Sequence, residues 1–219
     1  MRISSVAAVC LTLMIPAVVQ ADTASHFGGG NYSDVASLLN TTGIGAGNAG
    51  SEVTTPSYLV PGTFGQTEVT FTWLMDRGSF KPSFGYFVMD GVTADPLSDP
   101  QGWATQALTN ATVVFDERVD SVGDSKTFNI DAGEEIVFFL VPNNTWDKFI
   151  ADPDAFYPSN AHGDKWRSPL FSDADANPGQ YDQMLQFFAN DLTLLAWEDK
   201  TRAGRSDRDA FPLVAQHPR

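Results

Sequence analysis

The feature that most constrains the fold is a series of short segments in which apolar and polar residues alternate. In "TEVTFTWLM" (67–75), polar residues separate Val69, Phe71 and Trp73, which is the period of a strand with one buried face. Comparable segments, each bounded by Gly, Pro, Asp or Asn, follow at 84–90, 111–117, 126–131 and 134–142. No long helical repeat is present. The pattern predicts an all-β chain, an antiparallel β-sandwich of jelly-roll type with few short helices.

Three further elements complete this prediction. "QMLQFF" (183–188) and "LTLLAWE" (192–198) flank "AND" (189–191), which predicts a β-hairpin with a short loop. Helices are expected around 99–108 and in "NTWDKFIA" (144–151), where Thr145 is a suitable capping residue.

The first residues have the features of an export signal. Arg2 precedes an apolar stretch, Val6–Val19, and Val19 and Ala21 form an A-x-A-like cleavage site. The stretch is shorter than the roughly 20 residues that span a bilayer, so residues 1–21 are predicted to be a cleaved signal peptide. Cys10, the single cysteine, lies within it. We expect a secreted protein, extracellular or periplasmic, with no disulfide and no membrane span after cleavage.

The remaining chain is divided by composition. Residues 22–66 are rich in Gly, Ser and Thr and predict irregular structure with one short helix around 34–39. Residues 67–219 are expected to form the β-sandwich domain, with an atypical C-terminal tail from about residue 210.

The charge of the chain limits its partners. The formal net charge is −14 at pH 7, which repels nucleic-acid phosphates and excludes nucleic acid as a partner. The same charge attracts divalent cations. Acidity that only maintains solubility is the alternative, and composition does not separate the two.

Motifs for catalysis are few. The three histidines, His26, His162 and His217, are scattered, and the sequence has no Gly-x-Ser-x-Gly or His-Glu-x-x-His motif. A serine triad or a zinc site is therefore not expected. A pair of carboxylates hydrolysing glycosides stays open, because that chemistry requires only two suitably spaced acids.

Two loops are rich in oxygen ligands of the kind that calcium prefers. "SDADANPGQYD" (172–182) contains Asp173, Asp175, Asn177 and Asp182; a turn of Asp and Asn residues with no ion is an equal alternative.

The second loop, "EDKTRAGRSDRD" (198–209), contains Glu198, Asp199, Asp207 and Asp209. These four acids are the candidate metal ligands, with calcium as the candidate cofactor. On extended backbone Asp207 and Asp209 share one face, which favours an ion over the alternative of pairing with the loop's own arginines and lysine.

Several segments together resemble a family of bacterial exported modules catalogued as domain of unknown function 4114. They are "TFTWLMDRGSFKPSFGYFVMDG", "GEEIVFFLVPNN", "LFSDADANPGQYDQMLQFF" and "LTLLAWEDKTRAGRSDRD", in this order over residues 67–209. The resemblance implies a β-sandwich domain of a secreted or surface protein, with a calcium site at Glu198, Asp199, Asp207 and Asp209.

The chain departs from the family pattern after Asp209. The family continues with Phe-Asn-Asp and a last strand, whereas this sequence reads "AFPLVAQHPR". Pro212 and Pro218 oppose a regular strand, so we expect the last strand to be missing, as after a frameshift or truncation, and a sheet edge to be left open.

Three functions follow as hypotheses. The first is a non-catalytic calcium-binding module for adhesion or extracellular matrix, with a matrix protein or an extracellular glycan as partner. The second is a carbohydrate-binding module that uses loop aromatics: Trp103, Trp146, Tyr157 and Trp166. The alternative for these four residues is packing beneath the loops. The third is a carboxylate-dependent glycoside hydrolase.

Overall fold

The structure of the chain, a computed structural model, describes residues 57–74, 81–141, 146–151, 169–177, 184–189, 192–198 and 210–216. Within these ranges the chain forms ten β-strands and two α-helices. The strands are β1 (Tyr58–Leu59), β2 (Gln66–Trp73), β3 (Ser83–Val88), β4 (Thr112–Asp116), β5 (Ser125–Asp131), β6 (Glu135–Val141), β7 (Leu170–Phe171), β8 (Met184–Ala189), β9 (Leu192–Glu198) and β10 (Ala210–Gln216). The helices are α1 (Pro100–Thr109) and α2 (Trp146–Ala151), and a 3-10 helix covers Ala174–Ala176.

The strands form two five-stranded sheets. Sheet I has the order β5-β2-β10-β9-β8, and sheet II has the order β1-β6-β3-β4 with β7 also paired to β6. Every pairing is antiparallel. The prediction of an all-β antiparallel fold with few short helices is confirmed. The predicted strands, the hairpin and the two helices expected at 99–108 and 144–151 appear within a few residues of their expected bounds.

One face of sheet I packs on one face of sheet II. On β2 the buried residues are Val69, Phe71 and Trp73, and their neighbours are polar. The Phe71 ring lies 5.9 Å from the Tyr86 ring and 6.2 Å from the Phe138 ring, both on sheet II. The alternation in the sequence therefore reports the buried face correctly.

We call the apolar residues shared by the two sheets the inter-sheet core. From sheet I it contains Val69, Phe71, Trp73, Ile130, Met184, Leu195 and Trp197, and from sheet II Tyr58, Phe84, Tyr86, Val114, Phe115, Ile136, Phe138, Leu140 and Leu170.

Sheet II is also covered on its opposite face. Phe87, Val137 and Phe139 point away from sheet I and pack against the helices. The ring of Trp103 on α1 lies 5.5 Å from that of Phe87, and the Trp146 ring on α2 lies 5.0 Å from that of Phe139. This second cluster, the helix-side core, comprises Phe87, Trp103, Ala104, Ala107, Leu108, Val137, Phe139, Val141, Phe149, Phe171 and Ala176.

Helix α1 begins with a capped turn. The Asp99 carboxylate accepts a hydrogen bond from the Gly102 N–H at 2.9 Å, and Pro100 occupies the first helical position. Both are favoured there, because the first N–H groups of a helix have no internal partner. The cap thus fixes the helix that buries Trp103 against sheet II.

The expectation of a missing last strand and an atypical tail from about residue 210 is wrong. Residues Ala210–Gln216 form β10, which lies in the middle of sheet I and pairs with both β9 and β2. Pro212 is tolerated because the register with β2 starts only at Leu213, opposite Trp73. At Pro212 the strand is paired with β9 alone, so one side requires no backbone donor. No edge is opened between β9 and β2.

The folded region also begins earlier than residue 67. Strand β1 pairs with β6 through Tyr58↔Ile136, and Tyr58 is buried, so the end of the predicted 22–66 segment belongs to sheet II. The predicted signal peptide (1–21) and the helix around 34–39 lie outside the described residues, as do Thr145 and Pro218. In the part of the chain that the structure describes, no helix is long and apolar enough to cross a bilayer.

Candidate functional site

The candidate calcium loop connects two paired strands. Strand β9 ends at Glu198 and β10 begins at Ala210, and these two residues are partners in the antiparallel register. Such Cα partners lie about 4.5–5.5 Å apart. The chain therefore leaves the sheet at Glu198 and returns to it at Ala210, directly alongside.

Three of the four predicted ligands, Asp199, Asp207 and Asp209, lie outside the described residues, and only the backbone of Glu198 is described. Asp199 is bonded to Glu198, and Asp209 is bonded to Ala210. The register thus places the two residues that flank the segment 199–209, Glu198 and Ala210, opposite each other.

The base of this loop is anchored in the inter-sheet core. Trp197, which precedes Glu198, is 0% exposed, and its ring lies 6.2 Å from that of Phe84 on sheet II in an edge-to-face arrangement. Leu195, on the same face of β9, is also fully buried. Because aromatic burial dominates core energetics, Glu198, the residue before the loop, lies at the end of a firmly packed strand.

The other acidic loop uses its oxygens for its own turn. The Asp173 carboxylate accepts from the Asp175 N–H at 3.0 Å, which caps the 3-10 helix. Asn177 is buried, accepts from the Phe171 N–H at 2.7 Å and donates to the Phe171 carbonyl at 2.8 Å. The arrangement is an Asx-type turn; Asp182 lies outside the described residues.

Asp173 has a perturbed acidity. Burial raises the pKa of the Asp173 carboxyl above its ordinary value, the hydrogen bond from the Asp175 N–H opposes this, and the nearby Asp175 carboxylate raises the pKa further. The carboxyl is thus held where its charged form is disfavoured.

A third acidic segment, between β4 and β5, is ordered by hydrogen bonds of its carboxylates. Asp120 accepts from the Asp116 N–H at 2.8 Å and pairs with the Lys126 ammonium at 2.7 Å. Asp124 accepts from the Ser121 N–H at 2.7 Å. Across the described ranges, no group of three or more His, Cys, Asp or Glu side chains is placed to share a metal ion.

Of the aromatic residues proposed for sugar binding, the structure describes Trp103 and Trp146, and both pack in or against the helix-side core. Trp103 is 1% exposed and lies in the helix-side core, with its ring 4.9 Å from that of Phe171. Trp146 packs between Phe139 and Phe149. Tyr157 and Trp166 lie outside the described residues. Trp103 therefore follows the alternative in which the aromatic packs inside the fold, on the buried face of α1.

The sequence analysis missed an exposed ring. Phe64 is 93% exposed, in the connection between β1 and β2. The connection is fixed at its ends, since the Gly133 N–H donates to the Val60 carbonyl at 3.0 Å and the Ala132 N–H donates to the Gly65 carbonyl at 2.8 Å. The sequence signal was an aromatic residue between two glycine turns, "PGTFGQ".

A family comparison matches part of the chain. Residues 130–210 match the family described as "Domain of unknown function (DUF4114)"; the match runs from β5 through β9 to the first residue of β10. Comparisons with curated proteins and with solved structures gave no match.

Proposed function

Because residues 130–210 of the chain belong to the DUF4114 family, we propose that the protein is a non-catalytic, calcium-binding β-sandwich module of an exported bacterial protein. The candidate ligands are Glu198, Asp199, Asp207 and Asp209. Its setting is extracellular or periplasmic, in adhesion or matrix assembly, with a matrix protein or a glycan as partner.

The register of β9 with β10 carries the proposal. Glu198 and Ala210 are direct partners, so an 11-residue segment containing three aspartates (199–209) begins and ends at one point of the sheet. Calcium takes six to eight oxygen ligands, and short acidic loops supply several of them from adjacent residues. The cation would offset the repulsion among carboxylates held close together.

The charge of the chain supports the same proposal. With a net charge of −14, the surface raises the local concentration of divalent cations. Extracellular calcium modules bind with dissociation constants of about 10⁻⁴–10⁻³ M; this affinity suits an environment where calcium is plentiful.

Calorimetric titration of calcium into the purified chain tests the proposal. The wild type is expected to show saturable heat and a higher Tm with millimolar calcium. The variant Asp207→Ala/Asp209→Ala is expected to lose both. Glu68→Ala/Asp131→Ala is the matched control, because it removes the same charge from exposed positions on β2 and β5 and should bind as the wild type does. Absence of heat and of a Tm shift in the wild type would refute the proposal, and so would equal loss in both variants.

Carbohydrate binding is a second candidate, supported by Phe64 alone. A ring that is 93% exposed on a loop with fixed ends is suited to stacking on the apolar face of a sugar. A glycan array compares the wild type with Phe64→Ala, and Val119→Ala, 81% exposed at another loop, is the control. Loss of signal in Phe64→Ala alone would support this function. The glycoside-hydrolase hypothesis remains a prediction that no observation on the described residues favours.

A further inference from the structure

The inner face of the β8–β9 pair contains polar groups within an apolar core. Gln186 on β8 is 1% exposed, and Trp197 on β9 is 0% exposed. In the register, Gln186 is opposite Leu195 and Met184 is opposite Trp197. Leu195, Met184 and Trp197 all belong to the inter-sheet core, so Gln186 lies on the face that points toward sheet II.

Gln186 and Trp197 are diagonal neighbours on this face. Diagonal positions of an antiparallel pair lie about 7–8 Å apart, within reach of long and aromatic side chains. Neither the amide oxygen nor the amide nitrogen of Gln186 has a hydrogen-bond partner, and neither does the Trp197 indole N–H. Three polar atoms are thus buried together without a partner from the protein.

Other buried polar side chains of the described core do have partners. Thr193, on the same face of β9, is hydrogen-bonded to the Tyr58 hydroxyl. Ser172 accepts from the Phe138 N–H at 3.1 Å, and Asn177 forms the two bonds to Phe171 described above. Apart from one carboxylate oxygen of Glu117, the unpartnered buried side-chain atoms of the described residues are those of Gln186 and Trp197. Native proteins nearly always satisfy such atoms, with ordered water where the protein offers no partner.

We propose that Gln186 and Trp197 bind internal water between the two sheets. One water accepts the Trp197 indole N–H and donates to the Gln186 amide oxygen, and a second accepts from the Gln186 amide nitrogen. The ligand is water rather than a cation because two of the three groups are N–H donors, which cannot coordinate a metal. The site lies next to Glu198 along β9 and does not depend on calcium binding.

A high-resolution crystal structure of the wild-type chain, together with one of Gln186→Met, tests this site. Methionine keeps an unbranched side chain of similar length but removes the amide. The wild type is expected to show ordered water within hydrogen-bond distance of both Gln186 and the Trp197 indole nitrogen, and the variant is expected to lose the water on the amide nitrogen. A dry site in the wild type overturns the proposal.

Unfolding in urea adds a second measurement. If water satisfies the amide, Gln186→Met removes hydrogen bonds and lowers the urea midpoint. If the amide is unsatisfied, the substitution removes a buried polar group without a partner, and the midpoint rises. Should Gln186→Met fail to fold, water–proton cross-relaxation at the Trp197 indole N–H of the wild type decides the question: a cross-peak to bound water supports the site, and its absence overturns it.

Discussion

Strands β2 and β6 are buried in different ways. On β2, buried Val69, Phe71 and Trp73 alternate with polar residues that are exposed or half-buried. On β6, every residue from Ile136 to Val141 is buried. The difference arises because sheet II has sheet I on one face and the helices on the other, whereas the β2–β5 part of sheet I keeps one face open to solvent.

This contrast shows that the residue pattern of a strand indicates whether one or both of its faces are covered. Alternation marks a strand with one covered face, and a continuous apolar run such as "IVFFLV" marks a strand covered on both. Strand β9 repeats the second pattern, since Thr193–Trp197 are all buried.

The largest loss of stability is expected from substitution of two adjacent phenylalanines on β6. Phe138 faces the inter-sheet core and Phe139 faces the helix-side core, so Phe138→Ala and Phe139→Ala should each lower the free energy of unfolding by about 3–5 kcal/mol. Urea or thermal denaturation measures both. A small effect at Phe139 would show that the helices do not cover sheet II as described.

Alkaline unfolding tests the contact between the sheets at Tyr58. Burial raises the pKa of Tyr58 to about 12, and the hydrogen bond with Thr193 opposes this rise. The folded protein therefore holds the proton at pH values where the unfolded chain loses it. Tyr58 contributes full stability below pH 10 and loses it as the pH rises toward 12, by about 1.4 kcal/mol per pH unit.

The variant Tyr58→Phe isolates this contribution. Its free energy of unfolding should fall less steeply between pH 10 and 12 than that of the wild type, as measured by urea titration at each pH. Parallel curves would mean that Tyr58 is not buried between the sheets.

A glycine on β3 tests the close packing of the outer face of sheet II. Gly85 is the partner of Phe139 on β6, and a Cβ there would lie 2.3 Å from the Thr112 carbonyl oxygen and 2.5 Å from the Phe139 ring. Gly85→Ala should cost about 1–3 kcal/mol through overpacking. In Gly85→Ala/Phe139→Leu the smaller side chain should recover part of this loss; no recovery would locate the strain at the backbone oxygen alone.

Removal of the N-terminal cap of α1 should lower the free energy of unfolding by an intermediate amount. Asp99→Ala removes the acceptor of the Gly102 N–H and should cost about 1 kcal/mol, whereas Asp99→Asn should retain most of the stability. Thermal denaturation of the two variants separates the cap from the charge. Equal losses would assign the effect to charge.

The smallest effect is expected on the open face of sheet I. Thr70 shares a 2.8 Å hydroxyl contact with Thr127 across β2 and β5, in an exposed setting. Thr70→Val keeps the β-branched shape and should change the free energy of unfolding by less than about 0.5 kcal/mol. A loss comparable to that of Phe139→Ala would mean that this face is covered.

The sequence predicted the strands with clear alternation or apolar runs, together with the hairpin β8–β9 and both helices. It failed where local pattern is weak. Strands β1 and β7 have two residues each, too few for any period, and β10 contains Pro212, whose local preference is overridden by its position in the sheet. The order of the strands within each sheet could not be predicted from local patterns either, because strand pairing is set by contacts between residues distant in sequence.

The candidate site was predicted only as a set of residue types. The sequence placed four acids near a strand end, and the register of β9 with β10 adds that Glu198 and Ala210, which flank the other three, are direct partners. It did not show that the side-chain amide of Asn177 would be hydrogen-bonded to the backbone of Phe171. The burial of Gln186 could have been inferred from "MLQFFA", because the period of a strand places Gln186 on the same face as buried Met184.

The central position of β10 has a consequence for assembly. Strands β2 and β9 are both neighbours of β10 and not of each other, so without residues 210–216 the pairings of sheet I reduce to two separate antiparallel pairs, β5–β2 and β9–β8. Joining them requires contacts between residues near 70 and residues near 215, whose long chain separation slows folding. Completion of this sheet is therefore a late event, and removal of residues 210–216 would divide the sheet instead of trimming its border.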